Sequence, residues 1–101
     1  MRVGYSILRE LELGNQPRST DYGLSQREFE NFIFFLEQKG YLERVLWTND
    51  KFSLKPSRLT EKGFMLLEEN RHYNETYPER SRLKEWIQVE KDQYSNGADH
   101  N

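Results

Sequence analysis

The chain has 101 residues, with 15 basic and 17 acidic side chains, a formal charge of -2 and no cysteine. That length gives one domain with one modest core, and the missing cysteine excludes disulfide scaffolds, cysteine zinc sites and cysteine nucleophiles. Leu, Ile, Val and Phe supply 24 residues and aromatics 14%. This is enough to fold; the charge balance excludes a globally polybasic nucleic-acid binder and leaves a local basic face open.

The first predicted element is a helix over Val3 to Leu13, with Ile7, Leu8 and Leu11 on one face, Gly4 beside them, and Glu10 and Glu12 facing out. Gly14-Asn15 and then Pro17 read as its stop. The segment from Gly14 to Gly23 is rich in turn formers and predicts one short helical turn around Ser19 to Tyr22. Next comes the clearest helix in the chain. Ser25 with Glu28 three residues on makes a capping box, Phe29, Phe32, Ile33 and Leu36 form the core stripe, and Lys39-Gly40 ends the run.

Arg44 to Thr48 and Lys51 to Lys55 alternate around Asn49-Asp50, which predicts a hairpin. Its register places Trp47 opposite Phe52 and Val45 opposite Leu54 on an apolar face. Arg44, Leu46, Thr48, Lys51, Ser53 and Lys55 take the other face. Pro56-Ser57 breaks the strand. Thr60 caps a helix expected from Glu61 to about His72 and buried through Phe64 and Leu67. After a polar connection, a last helix is expected from about Pro78 to Asp92, with Leu83, Trp86 and Ile87 on one side. These three either cover the first helix within the chain or pair two protomers into a homodimer; so lean a core favours the first arrangement.

Helix, turn-rich segment, helix, hairpin, helix, helix is the order of an α+β winged helix-turn-helix, with a two-stranded wing and an extra C-terminal helix. One domain is expected over 1–92, with a disordered polar tail over 93–101. Phe35 to Leu42 resembles a recognition helix running into a wing, and Leu59-Thr60-Glu61-Lys62-Gly63 resembles the junction after it. With Ile7-Leu8-Arg9-Glu10, Gly14-Asn15 and Lys84-Glu85-Trp86-Ile87, these strings resemble the YjcQ family, small winged-helix proteins of Gram-positive bacteria and their phages. The resemblance covers roughly Tyr5 to Ile87. It implies the fold and a regulatory, phage or prophage setting, and it assigns no activity or site.

Two functions fit the pattern. The first is DNA binding. Ser25, Gln26, Arg27 and Asn31 stand near the start of the reading helix, where Arg27 suits guanine and Asn31 or Gln26 suits adenine. Lys51, Lys55 and Arg44 on the wing, and Arg18 before the helix, suit phosphates. From Arg44 to Lys62 there are five basic residues against two acidic ones. Against this stand Glu28, Glu30 and Glu37 on the same helix. The second function is protein binding through Phe34 and Gln38 with the flanking acidic face. Phe34, opposite the core stripe, either marks such a patch or packs under the turn-rich segment.

No enzyme pattern is visible. His72 and His100 are far apart, the six glycines are scattered, and no carboxylates have metal-ligand spacing, so no cofactor or metal is expected. The first residues lack the apolar core of a signal peptide, no apolar run crosses a bilayer, and the cytoplasm is the expected compartment.

Overall fold

Helix α1 (Arg2–Glu12) is the axis around which the other elements wrap. Val3, Tyr5, Ser6, Ile7 and Leu8 are all buried, more of the surface than one apolar stripe accounts for. The computed structural model describes residues 2–49 and 51–89. The predicted tail over 93–101 and the end of the last predicted helix lie outside these residues, as does Asp50 of the hairpin turn.

Glu10, expected at the surface, is 4% exposed. Its carboxylate accepts the Tyr77 hydroxyl at 2.7 Å and the Asn15 side-chain amide at 3.2 Å. The Ser6 hydroxyl lies 2.8 Å from that of Tyr77 and 2.9 Å from that of Tyr22. Since Tyr77 gives its proton to Glu10, Ser6 donates to Tyr77 and Tyr22 to Ser6, and every side-chain oxygen of this network has a partner. Burial pushes both phenols above their ordinary value. Tyr22 lies in the short 3₁₀ turn Ser19–Tyr22, as the sequence predicts, and Tyr77 in the connection before the last helix. The network therefore ties three segments to α1.

Helix α2 (Gln26–Gln38) starts as predicted. Ser25 Oγ accepts the Glu28 N–H at 3.1 Å, and Glu28 Oε1 accepts the Ser25 N–H at 2.9 Å. Phe29, Ile33 and Leu36 are buried. Helices α1 and α2 end the same way. At Gly14 (φ 86) and Gly40 (φ 84) the chain turns left-handed, and the next residue's N–H returns to the carbonyl five positions back. This is the Schellman closure that favours glycine.

The hairpin follows in two pieces. Strand β1 (Leu42–Glu43) pairs antiparallel with β4 (Arg58–Leu59), and β2 (Leu46–Trp47) with β3 (Phe52–Ser53). Trp47 lies opposite Phe52, the expected register. The ladder is shorter than predicted because residues 44–45 on one strand face 54–57 on the other. Arg44 takes φ 64, and the Ser57 N–H and hydroxyl both return to the Leu54 carbonyl. Such a mismatch bends the hairpin. Val45 and Leu54 still point inward, at 8% and 5% exposure.

Helix α3 (Glu61–Glu69) is capped by Thr60, whose Oγ1 accepts the Gly63 N–H at 3.1 Å. It stops before His72 because the Asn70 side chain takes the Leu66 carbonyl and the chain continues as a 3₁₀ turn, Arg71–Glu75. Phe64 is 50% exposed rather than buried, and Leu67 is half-buried. Residues 83–89 form helix α4, which starts later than predicted. Glu79 is still extended and a 3₁₀ turn, Arg80–Arg82, leads in, which places Pro78 before the helix. Leu83, Trp86 and Ile87 are buried within the chain, and Trp86 sits among the rings of Tyr5, Tyr73 and Tyr77. The side chains offered for a homodimer through the C-terminal helix are thus already buried within the chain.

Candidate nucleic-acid interface

Four positions spaced 4, 3 and 4 apart form one stripe along α2: Arg27, Asn31, Phe34 and Gln38. All four are exposed, and Phe34 is 54% so. Gln26 stands beside the stripe, also exposed. The Ser25 oxygen already accepts one bond in the cap, which fixes its position and leaves its hydroxyl proton and one lone pair for a ligand.

The hairpin is fastened to α2 by Glu37. One carboxylate oxygen accepts the Trp47 indole N–H at 2.7 Å, and the other accepts the Val45 N–H at 3.3 Å. A line of rings runs from the interior to the surface across this seam. Tyr22 and Phe29 are 6.0 Å apart, Phe29 and Phe52 5.8 Å, Phe52 and Trp47 5.3 Å, and Trp47 meets Phe34 edge-on at 6.2 Å. Phe34 therefore does not pack under the turn-rich segment; it caps the outer end of this line. Trp47, expected on the apolar face of the wing, is 40% exposed. The sequence reading missed Trp47 and Glu37 as parts of this face, because nothing in a spacing of ten residues signals their contact.

Arg18 and Gln26 line an open cleft with Phe29, Phe52, Ser53 and Leu54, which joins the start of α2 to β3. The segment before α2 is held from behind. Arg80 donates to Asp21 at 2.9 Å and to the Gln16 carbonyl, which leaves Arg18 at the outer surface. On β3 side, Lys51 and Lys55 flank Ser53 and are exposed, as is Arg44.

The cations divide by partner. Arg58, Arg71, Arg80 and Arg82 are paired with Glu43, Glu68, Asp21 and Glu85. Arg2, Arg9, Lys39 and Lys62 lie over aromatic rings. Among the described residues, Arg18, Arg27, Arg44, Lys51, Lys55 and Lys84 make neither kind of contact, and all but Lys84 lie on or beside α2 and the hairpin. The acids of α2 divide as well. Glu28 is used in the cap and Glu37 in holding the hairpin, so Glu30 remains as the acid on this face without an assigned structural task. Among the described residues no group of three His, Asp or Glu is placed to hold a metal, and no helix is long and apolar enough to cross a membrane.

A small α+β chain in which a capped helix and a bent hairpin share one face with unpaired cations is compatible with a winged helix. The chain belongs to the YjcQ family. It is 34% identical over 90 residues to YjcQ of Bacillus subtilis (strain 168), an uncharacterized protein, and the match covers 85% of this chain and 95% of that one. No family model matches the chain, and no solved structure does.

Proposed function

We propose that this protein binds double-stranded DNA as a small regulator of phage or prophage type, with α2 in the major groove and the hairpin against phosphate. The observation that supports this most is the segregation of its cations. Five basic side chains without internal partners gather around α2 and the hairpin, while those elsewhere are mostly paired or stacked. Counterion release then drives association. The test is fluorescence anisotropy of a labelled duplex of about 30 base pairs at about 50 and 200 mM salt. Four to five phosphate contacts predict a loss of ~10²- to ~10³-fold in affinity between the two. No binding at the lower salt by folded protein overturns the reading.

The exposure of Phe34 and Trp47 favours a second reading, in which the same face with Gln38 and Glu30 holds a protein partner. Under it, Phe34→Ala breaks the complex and removal of the hairpin lysines leaves it intact.

A further inference from the structure

A closed duplex offers base edges in its grooves, so an aromatic ring at the middle of a reading stripe meets little there beyond a thymine methyl. Phe34 occupies that middle, and Trp47 touches it edge-on. Both are substantially exposed, at 54% and 40%, in a chain that buries its other tryptophan, Trp86, to 6%. The indole of Trp47 is also held in place, because its N–H is bound to Glu37 at 2.7 Å. Fixed, exposed rings beside unpaired cations are the parts of a stacking site for single-stranded nucleic acid, where each base presents its flat face to a ring and its phosphate to a cation. One such cation lies on the same helix. Arg27 is two helical turns from Phe34 on the same stripe.

We infer that the seam between α2 and the hairpin is a stacking platform for an unpaired base, and that the protein prefers a single-stranded or locally opened stretch of DNA to a closed duplex. This rests on the DNA reading above and narrows its ligand. Phe34 and Trp47 take the base, Arg27 takes a flanking phosphate, and Glu37 positions the indole.

The experiment is tryptophan fluorescence of the full chain at about 50 mM salt, titrated with a deoxythymidine oligomer of about 20 nucleotides, a closed duplex and a uridine oligomer of the same length. The single strand is expected to bind more tightly than the duplex and to quench the emission. The quench reports Trp47, since Trp86 is enclosed, and Trp47→Phe is expected to abolish it and to weaken single-strand binding. Phe34→Ala, an exposed substitution checked by circular dichroism, is expected to weaken single-strand binding ~5- to ~150-fold, with duplex binding little changed. Duplex binding as tight as single-strand binding and without quenching overturns the platform and leaves the phosphate-gripping face standing. Tighter binding of the uridine oligomer overturns DNA as the ligand. No binding to any of the three overturns both readings.

Discussion

On the α1 side of the molecule the guanidinium groups of Arg2 and Arg9 lie over Trp86 and Tyr77, at 4.7 and 4.1 Å. On the α2–hairpin side Arg27 and Arg44 are exposed and have no such neighbour among the described residues. The aromatic residues divide in parallel. Tyr5, Tyr22 and Trp86 are enclosed, Tyr77 is half-buried, and all four are bonded to other groups, while Phe34 and Trp47 reach the surface. The same residue types therefore do different work on the two sides. One side seals the core and ties distant segments to α1, and the other presents charge and rings at the surface. Counting arginines or tyrosines does not separate these roles; partners do.

The largest expected effect of a substitution is on the sealed side. Leu83 is fully buried in the core, and Leu83→Ala is expected to cost ~2–5 kcal/mol of stability. The resulting fall in Tm, followed by circular dichroism, should not depend on protein concentration. A concentration-dependent Tm would show that α4 also joins protomers. Next in size is Glu10→Ala, which leaves the Tyr77 hydroxyl and the Asn15 amide without their acceptor, at ~1–3 kcal/mol by urea unfolding.

A pH series probes the same network. The folded phenols of Tyr22 and Tyr77 hold their protons above the ordinary tyrosine value of 10.0, so the unfolded chain binds fewer protons than the native one there. Stability from these groups is fully present below pH 10 and is lost as pH rises beyond it. Tyr22→Phe should flatten that alkaline loss in urea titrations at pH 9 to 11, buffered at about one-unit steps.

The smallest effect on stability belongs to the open side. Lys51→Ala with Lys55→Ala is expected to move the unfolding free energy by less than ~0.5 kcal/mol. The same pair should weaken DNA binding to all sequences and lower its salt slope by ~2. A change in stability as large as that of Glu10→Ala would erase the contrast between the two sides.

Much of this was legible in the sequence because it is local. The capping box at Ser25 and Glu28, the stops at Gly14 and Gly40, the turn at Ser19 to Tyr22, the Thr60 cap and the Trp47–Phe52 register each depend on residues a few positions apart. The failures are nonlocal. Glu10 reads as a solvent-facing helix residue until Tyr77, 67 residues away, arrives to bond it. Phe64 reads as core by period alone, yet no element covers it. Phe34 was correctly placed opposite the core stripe, but its contact with Trp47 needed the hairpin to be bent and fastened by Glu37.

By itself, then, the sequence determined the order of elements, their caps and stops, and the apolar stripe of α2, since hydrogen bonds within a turn and side-chain periodicity are set by neighbours along the chain. Only the tertiary structure decided which charges and rings are spent inside the molecule and which are left for a ligand. That choice depends on partners brought together from distant segments, and an ion pair or ring contact exists only once both groups share a surface.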